Sequence, residues 1–331
     1  MAEMNLNPRD RSHPGPPAPR VAIVGAGAVG GYFGGMLARA GVPTVFIGRP
    51  NFVAAVERHG LTLDTLQFHA TFAVAASTEL SAAREADLVL VCVKTTDTDA
   101  TARALAPFLA PDCTMLSLQN GVENADRISA ITGRPAYPAA VYLAAAATAP
   151  GVVTHTGRGD LIVGPAGDQL HSIARLWQSA GVGCVVSDRI QDQLWEKLIC
   201  NCALNAISAL SDLTYGAIGE NDAAWEVAIR VIEEAMAVAR AAGIHPTRMD
   251  NTEAAMATVR QLTRQIAAAH SSTALDLRRK KRTEIDALNG YLARRGHELG
   301  VPTPVNRTLW ALVRAAESRA VTQSESGAPA E

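Results

Sequence analysis

The segment that most constrains the fold is a glycine-rich turn placed directly after a short β-branched run. Val21–Val24 reads Val-Ala-Ile-Val, and residues 25–30 then follow the pattern G-x-G-x-x-G. In a strand–turn–helix unit the first glycine permits a tight turn, the second lets the backbone approach a pyrophosphate, and the third allows the helix to pack against the strand. The pattern predicts a dinucleotide-binding turn, with a purely structural glycine turn as the alternative. The candidate cofactor contacts in it are Gly25, Ala26, Gly27, Ala28, Val29 and Gly30.

The residues after this turn alternate between short apolar runs and alanine-rich helical stretches. Buried parallel strands are predicted at Val21–Val24, Thr44–Ile47, 88–93 and 115–118. Further strand-like pieces at 140–143, 151–155, 161–163 and 183–186 extend the sheet, with antiparallel pairing as one option. The prediction is an α/β fold whose N-terminal part, residues 20–188, is a doubly wound Rossmann-type domain.

The periodicity then becomes helical throughout. Helices are predicted at 191–210, 222–242, 248–268, 280–299 and 304–318. Gly243 and Gly300, each followed within three residues by a proline, mark helix ends. We expect an all-helical C-terminal domain over residues 189–320. The proline-rich residues 1–19 are predicted to form a disordered leader, and residues 321–331 a disordered tail.

The composition excludes several classes of protein. The chain has 331 residues, 48% of them hydrophobic, and a net charge of −2, which offers no long-range attraction to nucleic acid or an anionic membrane. The longest apolar run is too short to span a bilayer, and no secretory segment is recognisable, so a cytoplasmic protein is expected. Its five scattered cysteines resemble reduced structural thiols, and we expect no metal site. A small molecule is therefore the expected partner.

A polar stripe interrupts the most apolar of the predicted helices. Lys197, Asn201 and Asn205 recur at i, i+4 and i+8 among Leu, Ile, Ala, Cys and Trp, which places them on one helical face. The stripe either lines a cleft, where a lysine and two amides suit carbonyl chemistry, or forms a narrow solvated face. The spacing alone leaves both interpretations open.

Polar residues also follow three predicted strands. Arg49 stands just after the second strand, where an NAD-specific site usually places a carboxylate, and it favours the 2′-phosphate of NADP(H) over NAD(H). The alternative is a solvated loop arginine. Lys94 and Asn120 follow two later strands, and ligands of open α/β sheets bind at such carboxyl ends. Together these residues outline one crevice.

At this point the chain resembles the ketopantoate reductase (2-dehydropantoate 2-reductase) family, from about residue 21 to residue 317. The matching blocks are GAGAVG at 25–30, VK at 93–94, QNGVEN at 119–124, LWEKLICNCALNAISAL at 194–210 and RTEIDALNGYL at 282–292. The resemblance implies an NADPH-binding N-terminal domain, a helical C-terminal domain and an active site between them. The implied reaction is reduction of 2-ketopantoate to D-pantoate for pantothenate synthesis.

The resemblance also implies roles for individual residues. Lys197 resembles the family's proton donor, and the substrate-binding residues are implied to be Asn120, Asn201, Asn205 and Ser272. The implied cofactor contacts beyond the glycine turn are Arg49, Lys94, Asn120 and Glu284. An ammonium near the carbonyl oxygen suits the reaction, because hydride addition leaves negative charge there, and burial that lowers the pKa of a lysine makes it a better acid near neutrality. On residue type and position alone, Ser271-Ser272 could equally be the N-cap of a helix, and Glu284 would be interpreted as a surface acid.

The chain departs from the family pattern near the substrate. The family's Ser-Met-Leu-Gln-Asp is here Ser272-Thr273-Ala274-Leu275-Asp276, and a substrate-contacting asparagine of some members falls at Tyr215. An asparagine that often precedes the serine is absent at Ala269-His270. A reductase for another 2-oxo acid or an imine, and a non-catalytic NADP(H)-binding regulatory protein, therefore stay open as alternatives. The oligomeric state cannot be read from the sequence, so a homodimer is also open.

Overall fold

The computed structural model describes residues 18–325. Its ten strands are β1 (Val21–Val24), β2 (Thr44–Ile47), β3 (Leu61–Asp64), β4 (His69–Phe72), β5 (Ala75–Ser77), β6 (Leu88–Val91), β7 (Thr114–Ser117), β8 (Ala136–Ala149), β9 (Val152–Val163) and β10 (Gly183–Val186). Five helices accompany them, α1 (Ala28–Arg39), α2 (Pro50–His59), α3 (Thr98–Leu105), α4 (Asn124–Thr132) and α5 (Asp168–Ser179). Seven more follow, α6 (Ile190–Ser211), α7 (Tyr215–Glu220), α8 (Asp222–Ala241), α9 (Thr252–Gln265), α10 (Ser272–Arg278), α11 (Asn289–Glu298) and α12 (Pro304–Glu325).

The strands form one sheet whose centre is parallel. The order is β4-β3-β9-β8-β7-β6-β1-β2-β5, and β10 pairs with β9. In the parallel part, Val24 lies beside Ile47 on one side and Val91 on the other, and Val91 lies beside Ser117. The carboxyl ends of β1, β2, β6 and β7 therefore share one edge. The long β8 and β9 pair antiparallel and complete the sheet.

Both faces of the central strands are buried, which explains why their sequences are apolar at every position. Successive side chains of a strand point to opposite faces. Ile23 and Leu90 pack in one core, with α1 and α5, whereas Ala22 and Val89 pack in the other, with α3 and α4. The helical region has its own core, built around α6, which packs against α8, α10 and α12.

The predicted fold class is confirmed: an α/β sheet region precedes a helical region. The leader and tail predicted at 1–19 and 321–331 lie mostly outside the described residues, and α12 extends to Glu325. The short strands β3–β5 and the short helices α7 and α10 were not predicted. None of the helices within residues 18–325 is long and apolar enough to cross a membrane.

Two predicted helices are wrong in their bounds. The helix predicted at 280–299 begins only at Asn289, because Lys280 ends the preceding helix in a left-handed conformation (φ 53°) and the Lys281 N–H returns to the Asp276 carbonyl. The helix predicted at 248–268 begins at Thr252, where the Asn251 side chain accepts a hydrogen bond from the Ala254 N–H and caps it.

Candidate active site

The glycine turn has the shape that a dinucleotide needs. Gly25 has φ 102°, and a Cβ built there would lie 2.6 Å from the backbone nitrogen of Val93, so only glycine fits. Gly27 is the N-cap of α1, and a Cβ on it would meet nothing within 4 Å. The first N–H groups of this twelve-residue helix therefore adjoin open space, which suits a pyrophosphate.

Arg49 lies at the same edge of the sheet, two residues after β2. It is exposed and, within the described residues, makes no side-chain hydrogen bond or ion pair. Its guanidinium is therefore available to a ligand held against the glycine turn. The 2′-phosphate contact of Arg49 stays a prediction.

Lys197 is half-buried on α6 and reaches the sheet. Its Nζ donates hydrogen bonds to Asn120 Oδ1 at 3.0 Å and to the backbone carbonyl of Val141 at 2.5 Å. An ammonium has three hydrogens, and no third acceptor contacts it in the described part of the chain. Burial lowers the pKa of Lys197 to about 8, although the Glu284 carboxylate opposes this shift. The third N–H is thus free for an incoming oxygen.

Glu284 joins the helical region to the carboxyl edge of the sheet. One carboxylate oxygen accepts the backbone N–H of Thr95 at 2.9 Å, and the other accepts Asn120 Nδ2 at 2.9 Å. Asn120 is thereby held from both sides, its nitrogen by Glu284 and its oxygen by Lys197. The three side chains form one hydrogen-bonded row across the two regions.

A second contact across the same cleft is an ion pair between Lys94 and Asp276. Lys94 follows β6 and Asp276 lies on α10, 182 residues away. The Asp276 side chain is 14% exposed, and burial, opposed by Lys94, raises its pKa. Lys94 therefore contacts the helical region next to the row formed by Lys197, Asn120 and Glu284.

The far end of the polar stripe is arranged differently. Asn205 accepts a hydrogen bond from the Tyr215 hydroxyl at 2.9 Å, while Asn201, one turn earlier, has no hydrogen-bond partner among the described residues. Ser271, and not Ser272, is the N-cap of α10, since its hydroxyl accepts the Ala274 N–H. Ser272 is exposed, and its hydroxyl makes no hydrogen bond within residues 18–325.

The structure brings Lys197, Asn120 and Glu284 into direct contact, and it places the glycine turn and Lys94 at the same edge of the sheet. Sequence reasoning missed the Val141 carbonyl and the partnership of Asp276 with Lys94. A backbone carbonyl leaves no signal in a sequence. Asp276 was visible as the retained acid of its block, but its partner was not.

Three comparisons with known proteins agree with this arrangement. A crystal structure described as a PanE/ApbA family ketopantoate reductase from Ralstonia eutropha JMP134 shares 45% identity, with a TM-score of 0.86 and coverage of 91% of this chain and 99% of that one. The 2-dehydropantoate 2-reductase of Pyrococcus horikoshii is 32% identical over 303 residues, which are 90% of this chain and 98% of that protein. A D-mandelate dehydrogenase solved with NADH and anilino(oxo)acetate is 24% identical, at a TM-score of 0.84, and shares the fold.

Family models match both regions of the chain. The model "Ketopantoate reductase PanE/ApbA" matches residues 21–168, and its C-terminal counterpart matches residues 189–317. A glycine turn at the carboxyl edge of a parallel sheet, together with a lysine of the helical region that is hydrogen-bonded to the sheet region, thus belongs to an oxidoreductase. More narrowly, the chain is a member of the ketopantoate reductase, or 2-dehydropantoate 2-reductase, family.

Proposed function

We propose that this chain reduces ketopantoate to D-pantoate with NADPH, and that Lys197 donates the proton. The observation that carries the proposal is the row of Lys197, Asn120 and Glu284, which sets one free ammonium hydrogen beside the dinucleotide edge of the sheet. The reaction that the Pyrococcus horikoshii relative is named for supports the choice of substrate.

The residues for the cofactor would lie along the carboxyl edge of the sheet. The turn at residues 25–30 would take the pyrophosphate and Arg49 the 2′-phosphate, while Lys94, Asn120 and Glu284 would contact the nicotinamide half. Reduced nicotinamide, when bound, would supply a hydride. Because Arg49 is exposed and its side chain has no partner among residues 18–325, no ion pair of the described structure would compete with phosphate binding.

Lys197 is suited to the proton transfer by its burial and its two fixed hydrogen bonds. Asn120 and the Val141 carbonyl hold the ammonium, so its third hydrogen has a defined direction. With a pKa of about 8, Lys197 carries its proton in most molecules at pH 7, and it is a stronger acid than an ordinary lysine. It would stabilise negative charge developing on the substrate oxygen and then donate the proton to it.

Asn201, Asn205 and Ser272 would bind the remainder of the substrate. Asn201 has no partner in the described structure, so both ends of its amide are available to a ligand. Ser272 is exposed next to the cap of α10. The proposal thus divides the site into a cofactor edge on the sheet and a substrate wall on α6 and α10.

A different 2-oxo acid is the second candidate substrate, and one observation favours keeping it. Position 215, which in some family members is a substrate-contacting asparagine, is here a tyrosine. Its hydroxyl donates a hydrogen bond to the side-chain oxygen of Asn205. An aromatic side chain at this wall changes both the space and the hydrogen-bonding groups offered to the substrate.

One set of rate measurements tests the proposal. Oxidation of NADPH and of NADH should be followed with ketopantoate, with a panel of straight, branched and aromatic 2-oxo acids, and without substrate. We expect the highest kcat/KM with NADPH and ketopantoate. A higher kcat/KM with another 2-oxo acid would make that acid the substrate in place of ketopantoate. Absence of turnover with every acid would contradict the proposed reductase activity.

The cofactor choice has its own matched pair of variants. Arg49→Ala should raise the KM for NADPH about tenfold and leave the KM for NADH nearly unchanged, since only NADPH carries the 2′-phosphate. Arg58→Ala, in the last turn of α2, the helix that directly follows Arg49, is the control for loss of one exposed charge. Equal effects of both variants on NADPH would exclude Arg49 as the phosphate contact.

A cytoplasmic location is also part of the proposal. All five cysteines are free thiols, as expected in a reducing compartment. Fractionation of cells that produce the native protein, followed by the NADPH assay, would test it.

A further inference from the structure

Among the described residues the Tyr215 side chain makes one hydrogen bond, and this bond fixes the orientation of Asn205. Tyr215 begins α7, and its hydroxyl donates to Asn205 Oδ1 at 2.9 Å. Its backbone N–H donates to the Ala269 carbonyl at 2.9 Å, so the ring is anchored between α6 and the segment before α10. Burial raises the pKa of Tyr215 well above its ordinary value, and the hydroxyl therefore keeps its hydrogen.

Only one orientation of the Asn205 amide gives the phenolic hydrogen of Tyr215 an acceptor. If the amide were reversed, its nitrogen would face the phenol, and the phenolic hydrogen would have no acceptor within the described residues. In the observed orientation the amide oxygen receives that hydrogen. The amide nitrogen then makes no hydrogen bond within residues 18–325, and it keeps some access to solvent although Asn205 as a whole is only 3% exposed. An unsatisfied donor in so buried a side chain is costly unless a ligand or water accepts from it.

The position of Asn205 indicates which part of a ligand would meet it. Lys197, Asn201 and Asn205 follow one another at one-turn intervals on α6. At 1.5 Å per residue, the Cα atoms of Lys197 and Asn205 lie about 12 Å apart along the helix axis. A substrate whose carbonyl oxygen meets Lys197 would therefore approach Asn205 with its opposite end.

The geometry points to Tyr215 as a specificity-determining residue that acts through Asn205. Because the Tyr215 hydroxyl fixes the amide and takes one lone pair of its oxygen, Asn205 presents its N–H groups, and it favours 2-oxo acids that present an acceptor oxygen at the end away from Lys197. This inference rests on the proposed function, since it takes the stripe on α6 as the substrate wall.

The first test removes only the hydroxyl. Tyr215→Phe should raise the KM for ketopantoate about three- to tenfold, with kcat nearly unchanged, because the amide can then turn and its donors are no longer fixed. Tyr291→Phe is the matched control, since the Tyr291 hydroxyl has no hydrogen-bond partner in the described structure and its ring packs edge-on against Trp195. The KM for NADPH should not change in either variant.

The second test reverses the polarity of the amide. Asn205→Asp keeps an oxygen for Tyr215 but replaces the N–H groups by a second acceptor, so the KM for ketopantoate should rise at least tenfold more than in Asn205→Ala. In the Asn205→Ala background, adding Tyr215→Phe should have no further effect on KM, as expected of a residue that acts through Asn205.

The outcomes separate this inference from the proposed function. If the wild type reduces ketopantoate and Tyr215→Phe has the KM of the wild type, the function stands and the role of Tyr215 is excluded. If Asn205→Asp keeps the KM of the wild type, the substrate offers a hydrogen there and the stated polarity is wrong. If the wild type reduces none of the 2-oxo acids, the proposed function fails and the inference fails with it.

Discussion

At the level of single residues, the position of Lys197 accounts for most of the chemistry expected of this protein. A lysine placed among apolar side chains loses the hydration of its charge, and this loss outweighs the attraction of Glu284. The two acceptors on the sheet, Asn120 and the Val141 carbonyl, hold the ammonium without neutralising it. Lys197 is therefore both oriented and acidic enough to give up its proton near neutral pH.

Replacing Lys197 by alanine should separate binding from chemistry. We expect kcat for Lys197→Ala to fall by about 10²–10⁴-fold, the usual contribution of a positioned general acid. NADPH binding, measured by quenching of protein fluorescence, should be nearly intact, because the glycine turn and Arg49 are untouched. An active variant would remove Lys197 as the proton donor.

The pH dependence of turnover should show the same group. Since the pKa of Lys197 is lowered to about 8, the fraction that carries the proton falls as the pH rises through that value. We expect kcat to be level below pH 8 and to fall about tenfold per pH unit above it, measured between pH 6 and pH 10 at saturating substrate. A profile that stays level to pH 10 would contradict the assignment, and Lys197→Ala should lack the falling limb.

At the level of elements, the turn between β1 and α1 shows two different reasons for glycine. Gly30 lies inside the strand–helix contact, where a Cβ would come within 2.9 Å of the Ile23 side chain and closer still to the Gly25 carbonyl. Gly27 adjoins open space at the N-cap of α1. One glycine is needed by the fold, and the other would be needed by the ligand.

These two glycines should therefore respond differently to the same substitution. Gly30→Ala should lower the free energy of unfolding by about 1–3 kcal/mol, as overpacking does, whereas Gly27→Ala should leave it nearly unchanged. Gly27→Ala should weaken NADPH binding, because its added methyl would lie where the pyrophosphate approaches. Gly30→Ala should weaken NADPH binding as well. Urea unfolding and NADPH titration of both variants give the answer, and unchanged NADPH affinity in Gly27→Ala would place the cofactor elsewhere.

At the level of the whole molecule, two little-exposed carboxylates form ion pairs of different kinds, one within the helical region and one between it and the sheet region. Glu196 is 2% exposed on α6 and accepts hydrogen bonds from the Arg248 backbone and guanidinium, each at 2.8 Å, within the helical region. Asp276 instead pairs with Lys94 across the cleft. For Asp276 burial outweighs the attraction of its partner, so its pKa is raised.

The sign of that shift gives a stability prediction. A carboxyl whose pKa is raised on folding contributes stability at low pH that is lost as the pH rises through the folded pKa. Asp276→Asn, which mimics the neutral form, should therefore leave the free energy of unfolding at pH 7 unchanged or slightly higher. Glu196→Gln, the comparison variant, should lower it by about 1–3 kcal/mol, because an amide nitrogen would face a donor in a buried site.

Urea unfolding of the two variants at pH 7 makes the measurement. A loss above 1 kcal/mol in Asp276→Asn would show that the Lys94 ion pair stabilises the fold. The presence of Asp276 at this position would then be explained by stability alone.

The features that could be predicted from the sequence depend on short separations along the chain. The glycine turn follows its strand directly, the stripe on α6 follows from helical periodicity, and β1, β2, β6 and β7 are marked by apolar runs buried on both faces. The helix at 280–299 was placed wrongly because Lys280 adopts a left-handed conformation that no periodicity reveals. The family resemblance implies the roles proposed for Asn120 and Glu284, whereas spacing alone indicates loop polarity and a surface acid.

Only the folded chain decides which of these groups meet. Glu284 reaches Thr95 and Asn120 across 189 and 164 residues, and Lys197 reaches the Val141 carbonyl across 56. The lowered pKa of Lys197 and the orientation of Asn205 exist because distant segments exclude water and supply partners. Propensity and periodicity act within a few residues, whereas desolvation and hydrogen-bond partnership are properties of the packed molecule.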